Sequence, residues 1–396
     1  MTFLYKIKGV PVNIKKRIKR IISRYEEYQT YLFYSEQFKS YLAKHGIANV
    51  KADGEEQYLE NWKRLSNRIE PYSYRLFSQP CYMGKNKYIV PEDIGDTVIE
   101  YYLNPVEYRP FYSDKNMFRK YLEPKDSLPV DLLRRMAGGL FLDEHYSVSN
   151  INKDSTKQEI AKEFGDCDGV VIKPSDSCSG SGVMKFNRVL SDDGTEAFVD
   201  GKGCVLDGAF LARFNYGRSF VLQKAIVQHP YLSQFCSSSV NTMRLCVYRS
   251  VVDESVEIFA GALRIGHQGS VVDNLHAGGG FVKIDVNTGE LGHVVYNQYG
   301  EMTKTLNGVN FDNHYQIPFW DEIRQFAVSI AKQIRHMRLL ALDVSLDESN
   351  KPRLIEFNVK EFAFWIPMFS GQQVFGDKME EVIEFCRKRL IQDKRI

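Results

Sequence analysis

Residues 170–183 read VVIKPSDSCSGSGV. Val170, Val171 and Ile172 form a short apolar, β-branched run of the kind that builds a buried strand, and Lys173 and Pro174 end it. A lysine in that position puts one ammonium at the mouth of a sheet. The loop that follows consists of small residues, whose backbone N–H groups can come close to an anion. Val183 resumes the apolar pattern, so the loop joins strand to strand. That separates it from the strand-to-helix phosphate loop and from the dinucleotide fingerprint, and neither spacing is met. The segment suits phosphate, but an ordinary hairpin turn beside an exposed lysine would leave the same pattern.

A second pair of strands carries acids. ALDVSL at 341–346 is followed, after a turn at 347–351, by RLIEFN at 353–358. Glu356 and Asn358 stand two apart and therefore face the same way on a strand, with Leu354 expected on that face and Ile355 and Phe357 on the other. The hairpin should bring Asp343 near them. Two carboxylates and an amide oxygen are hard ligands suited to Mg²⁺ shared with substrate phosphates. A solvated face or a salt bridge is the plainer reading, but these acids lie inside apolar strands, where an unpaired charge is costly.

The rest of the chain predicts an α+β protein. Residues 13 to about 70 read as helical, and Pro71 ends the run. Helices are expected at 114–122, 130–136, 157–164, 208–214, 319–337 and 379–390. Strands are expected near 140–148 and at 169–173, 183–189, 220–226, 240–248, 256–265, 281–285, 340–346 and 353–358. Asn287, Thr288 and Gly289 read as a hairpin turn.

At 396 residues the chain exceeds one usual core, so two or three subdomains are expected. A formal net charge of +2 gives no electrostatic case for nucleic acid as a partner. Seven cysteines, an odd number without C-x-x-C, argue against a disulfide framework or a zinc site and for reduced thiols. No apolar run has the length of a membrane span, and the first residues lack the pattern of a signal peptide, so a cytoplasmic protein is expected. One local bias stands out. Lys15, Lys16, Arg17, Lys19, Arg20 and Arg24 are interleaved with Ile14, Ile18, Ile21 and Ile22. Such a basic amphipathic helix can lie on the inner face of an anionic membrane, or dock its stripe on the protein body.

The motifs together resemble the ATP-grasp superfamily. The carriers are VVIKPSDSCSGSGV at 170–183, FVLQKAI at 220–226 and ALDVSLDESNKPRLIEFN at 341–358, with NTMR at 241–244, GALRIG at 261–266 and VDNLHAGGG at 272–280. Closest in flavour are the sugar-transfer-associated ATP-grasp proteins of bacterial polysaccharide clusters. The resemblance covers about residues 110–375.

It implies two α+β subdomains clamping ATP, here 113–222 and 223–396, after a helical and mixed region at 1–112. It implies that Lys173 and Lys115 bind the ATP phosphates and that Ser177, Ser179, Gly180, Ser181 and Gly182 close over them. Gln223, Lys224 and Ile226 would form the hinge that reads adenine, and Asn274 and His276 would lie near nucleotide and acceptor. Arg244 and Arg264 would stabilise the transferring phosphoryl group. Asp343, Glu356 and Asn358 would hold Mg²⁺. The chain departs from relatives at Val359-Lys360-Glu361-Phe362, where many carry a small stretch, so the acceptor is not implied.

The implied activity is an ATP-dependent ligase that joins a small-molecule or saccharide carboxylate to an amine through an acyl phosphate. Two rivals keep the nucleotide: a kinase of a sugar or other hydroxyl, and a non-catalytic nucleotide-binding scaffold.

Overall fold

A computed structural model describes residues 12–176, 180–190, 194–275 and 278–395. The chain divides into two units. One takes in the chain up to Tyr102 and the segment from Ala363 onward, and the other is Leu103–Phe362.

The larger unit is built on two antiparallel sheets. The first comprises β1 (Asp131–Arg135), β2 (Phe141–Leu142), β3 (Gly169–Pro174), β4 (Met184–Leu190), β5 (Glu196–Asp200) and β6 (Phe220–Lys224). Its strand order is β2-β1-β6-β3-β4-β5. Val170, Ile172, Phe186, Phe198, Phe220 and Leu222 point from one face into a core shared with Ile160 and Leu211 of the helices Lys157–Glu163 and Gly208–Arg213. Thr156 starts the first of these helices with a reciprocal capping box to Glu159, and Asp207 caps the second through the Phe210 N–H.

The second sheet contains β7 (Thr242–Arg249), β8 (Val256–Ile265), β9 (Gly280–Ile284), β10 (Leu291–Tyr296), β11 (Met302–Thr303), β14 (Leu339–Leu346) and β15 (Pro352–Asn358). A small ribbon, β12 (Thr305–Leu306) with β13 (Val309–Asn310), lies between in sequence. The sheet order is β11-β10-β9-β8-β7-β14-β15. Leu245, Leu263, Val282, Leu342 and Leu354 on its covered face share a core with Ile323, Ala327 and Ile330 of the helix Trp320–Gln333.

The smaller unit is largely helical, with helices Val12–Lys44, Glu55–Lys63, Tyr72–Phe77 and Met379–Gln392. Tyr58, Trp62, Tyr74 and Phe77 are fully buried in it. Arg64 reaches from the end of the second helix to Glu380 at 2.5 Å and to Glu384, so the C-terminal helix closes on the N-terminal region. This places 379–390 in the unit of the N-terminal region, outside the subdomain expected from Gln223 onward. Its boundary at 222/223 also falls within β6.

The α+β class expected from the sequence holds. Several elements differ in detail, β10 to β13 among the strands not expected. The helix expected at 130–136 is β1, because its backbone pairs with β6 from Asp131↔Gln223 to Arg135↔Phe220, and sheet pairing overrides local helix preference. β5 was not foreseen; its hydrophobic content is only Ala197, Phe198 and Val199, and β4 supplies its partner. The helical stretch of 13–70 breaks after Lys44 at Gly46, whose φ of 64° leaves the helical region.

Candidate functional site

The face of the second sheet opposite its core carries an ionic row. On β7, Met243, Leu245 and Val247 point into the core, so Thr242 and Arg244 point away. On β8 the same alternation buries Leu263 and Ile265 in the core and turns Arg264 outward. On β14, Leu342 and Val344 enter the core, leaving Asp343 on the ionic face. The registers Thr242↔Arg264 and Arg244↔Asp343 then bring these side chains together.

The result is a closed charge network. Asp343, 2% exposed, accepts from Arg244 Nε at 2.6 Å and Nη2 at 3.0 Å, and from Arg264 Nη1 at 3.1 Å. Arg264 Nη2 also donates to Asp273 Oδ1 at 3.0 Å. The second Asp273 oxygen accepts from the Thr242 N–H at 3.2 Å and from the Thr242 hydroxyl. Burial pushes Asp273 above the usual carboxylate range, although Arg264 draws it back. Burial would lower Arg264, but Asp273 and Asp343 outweigh it and hold the guanidinium charged. Both Asp343 oxygens are thus committed to arginines. Asp343 is therefore placed to anchor the two arginines.

β15 holds a correction. The register runs Asp343↔Glu356 and then Val344↔Leu354, so Ile355 is bulged. A bulge shifts the alternation by one residue. Leu354 therefore points into the core together with Phe357, opposite to the face of Glu356, and Ile355 and Glu356 both line the cavity described below. The expectation that Leu354 shares a face with Glu356 fails at this bulge. Glu356 and Asn358, both beyond it, keep the same side.

Glu356 sits among cations. Lys115 Nζ lies 3.3 Å from its Oε2. Burial alone would raise its pKa, but Lys115, Lys173, Arg244 and Arg264 together hold it below the usual range, so it is ionised. Lys115 stands in a short helical turn after Asp114, which caps it through the Asn116 N–H. The Lys115 N–H donates to the Ser175 carbonyl at 2.8 Å, tying this turn to the end of β3.

The first sheet offers its own uncovered face. Val170 and Ile172 are in the core, so Val171 and Lys173 face the other way, beside Gln223 of β6. Lys173 is buried, and among the described residues no carboxylate comes within ion-pairing distance of it. Burial, helped by Lys115, pulls its pKa down to about 8 against the opposing pull of Glu356. The Gln223 amide donates to Asp131 Oδ1 at 2.7 Å, and Arg134 holds the other oxygen at 2.9 Å. Beyond Gln223 the backbone leaves the sheet. The Lys224 N–H donates to Val130 and the Ala225 N–H to Gly169, both at 2.9 Å, and the Lys224 ammonium reaches the Asp166 carbonyl at 3.0 Å. The N–H and C=O of Ile226 have no hydrogen-bond partner among the described residues.

These faces enclose a cavity of about 380 Å³. Lys173, Gln223, Lys224 and Ile226 line it from the first sheet, and Arg264, Asp343, Glu356 and Asn274 from the second. Gly180 adds the described end of the glycine loop. Gly180 and Gly182 adopt φ of 67° and 75°, a region open to glycine. Ser181 and Gly182 belong to the exposed part of that loop, outside the lining. Arg244 lies behind Asp343, Lys115 behind Glu356, and Asn358 beyond the lining. Ser177, Ser179 and His276 lie outside the described residues. Thr242, Asp131 and the β4 residues Lys185 and Asn187 complete the site or support it without having carried a signal of their own in the sequence.

The profile of the sugar-transfer associated ATP-grasp family matches residues 103–382. No curated protein matches the chain. Solved structures resemble it distantly. They include D-cycloserine synthetase DcsG, at 12% identity and TM-score 0.39 over 73% of each chain. The D-alanine-D-alanine ligase from Coxiella burnetii aligns at 10% identity and TM-score 0.37, over 74% of this chain and 62% of that one. A biotin carboxylase from Campylobacter jejuni in complex with β,γ-ATP aligns at 12% identity and TM-score 0.41, over 72% and 48%. By the family match, which spans most of its length, the chain belongs to the sugar-transfer associated ATP-grasp family.

Proposed function

We propose that the protein is an ATP-dependent ligase that activates a carboxylate as an acyl phosphate and passes the acyl group to an amine. The observation that carries this reading is a single cavity with an unpaired buried lysine on one wall and an arginine–carboxylate network on the other. In it, adenine lies against the Gln223–Ile226 hinge, where the free N–H and C=O of Ile226 can pair with the purine edge. The Lys173 ammonium, lacking a fixed counter-ion among the described residues, receives the phosphates, and Gly180 and Gly182 give the loop over them its backbone freedom. Arg264, aimed by Asp343 and Asp273, neutralises charge on the transferring phosphoryl group. Donors fixed before the reaction need no reorganisation during it.

The oxygen donors present suit Mg²⁺. Glu356 is held ionised at the cavity wall and Asn358 shares its face, and Mg²⁺ is commonly bound by one or two protein oxygens together with substrate phosphates. The ion would neutralise the phosphate oxygens at that wall, with Asp343 holding the arginines beside it.

The acids within the cavity favour a carboxylate over a hydroxyl as phosphoryl acceptor. Three of the four acids lining it are held by cations, Asp273 and Asp343 by arginines and Glu356 by Lys115, so each of these three is poorly placed to take a hydroxyl proton. A carboxylate is already deprotonated at neutral pH and needs no base. A saccharide carboxylate fits the family's association with sugar transfer, a role in surface polysaccharide assembly would follow from it, and six free thiols among the described residues fit a cytoplasmic setting.

The test is a screen for ADP release over sugar acids and amino acids with Mg-ATP, with hydroxylamine as the trap. The reading expects a hydroxamate from the active carboxylate without any natural amine. A stable phosphorylated hydroxyl with no trappable acyl group would establish the kinase instead, and no ADP release from any pair would leave a nucleotide-binding scaffold.

A further inference from the structure

The helix Val12–Lys44 has two halves in different settings. Its downstream half is docked: Tyr34 donates to Asp96 at 2.7 Å, Phe38 packs on Phe77 and Leu42 is 2% exposed. Its upstream half exposes large apolar side chains, with Ile14 at 49%, Ile21 at 60% and Tyr25 at 63%. Steps of seven and four place these three on one face of a helix, with Ile18 between them. The stripe is therefore not used to dock the helix on the described part of its own unit.

The same stretch is strongly charged. Lys15, Lys16, Arg17, Lys19, Arg20 and Arg24 follow Lys6 and Lys8, and no acid occurs before Glu26. The whole chain has a net charge of only +2, so the excess is local. No helix among the described residues is long and apolar enough to cross a membrane.

From this geometry we infer that the first turns of the helix Val12–Lys44 lie in the surface of an anionic lipid bilayer. Ile14, Ile21 and Tyr25 enter the boundary between headgroups and acyl chains, and the basic residues of the stretch meet the anionic headgroups. An in-plane helix needs both an apolar face and flanking cations, and neither alone holds it firmly. A nucleic acid would answer the charge and leave the stripe in water. A second copy would answer the stripe and bring like charges together. The bilayer is the partner that satisfies both.

The full chain should sediment with vesicles of phosphatidylcholine containing about one third phosphatidylserine, and at least tenfold less with phosphatidylcholine alone. Ile21→Asp combined with Tyr25→Asp should reduce binding at least tenfold with an unchanged melting curve, since both side chains are exposed. Arg20→Glu with Arg24→Glu should also reduce binding at least tenfold, and added salt should weaken the wild type. Three results would overturn the inference. These are equal binding to both vesicle types or none, binding that salt abolishes but the apolar pair leaves intact, and a stable dimer that the apolar pair dissolves without vesicle binding.

Discussion

The two walls of the cavity handle charge in opposite ways. On the second sheet, Arg244, Arg264, Asp343 and Asp273 neutralise one another through hydrogen bonds of 2.6–3.1 Å. On the first sheet, Lys173 is equally enclosed but has no such partner among the described residues, and its pKa is drawn down to about 8. One wall is a finished electrostatic structure that can direct a reaction. The other is incomplete until an anion arrives. On the proposed reading, a site that binds and releases a polyanion would gain from this division, because fixed arginines would keep their geometry while the lysine supplied affinity.

The largest effect should come from breaking the finished wall. Asp343→Ala strips the shared acceptor from both arginines and leaves two buried cations facing each other. Loss of one partner in a buried pair typically costs about 3–5 kcal/mol. Chemical denaturation should show a loss in that range together with loss of turnover. A variant as stable as wild type would mean that the network does not organise the sheet.

Lys173→Met attacks the other wall and should separate affinity from stability. It removes a buried charge that has no ion-pair partner among the described residues, at similar volume, so unfolding free energy should not fall. Nucleotide affinity by calorimetry should drop roughly 10- to 100-fold, the worth of a charge-assisted contact. Lower stability with unchanged affinity would reverse the roles assigned to the two walls.

A smaller effect follows from pH. Burial depresses the folded-state pKa of Lys173 from 10.5 to about 8, so its charge is present below pH 8 and lost above it. Nucleotide affinity should therefore fall above pH 8, by at most about tenfold per unit for one coupled proton. The same sign makes this lysine a burden on folding at neutral pH, a burden that fades between pH 8 and 10.5. In Lys173→Met the decline in affinity should vanish, and its persistence would place the titrating group elsewhere.

The smallest effect expected is at the loop. Gly182 has φ of 75°, and an added Cβ would stand 3.0 Å from Pro174 Cγ. Gly182→Ala should cost about 1 kcal/mol of stability, readable as a shift in melting temperature.

Much of this contrast was legible in the sequence, because it rests on local patterns. Val170–Lys173 and the alternation around Arg244, Arg264 and Asp343 mark strands and their faces without any tertiary knowledge. What escaped depends on pairing between distant segments. Arg244 and Asp343 stand 99 residues apart, and only the β7–β14 register makes them partners. Nothing local signals that both oxygens of Asp343 accept from arginines. The bulge at Ile355 is invisible in RLIEFN, and it turned Leu354 to the face opposite Glu356. β1 looked helical because its strand character comes from the pairing edge that β6 offers. Asp131 and Thr242 matter only through the groups they hold, Gln223 and Asp273.

The most direct test of the account is a crystal structure with Mg²⁺ and a non-hydrolysable ATP analogue. The account predicts adenine against the Ile226 backbone, the triphosphate within hydrogen-bond reach of Lys173, and the γ-phosphate turned toward Arg264 and Glu356. Nucleotide bound outside this cavity, or bound in it with the triphosphate away from Lys173, would contradict it.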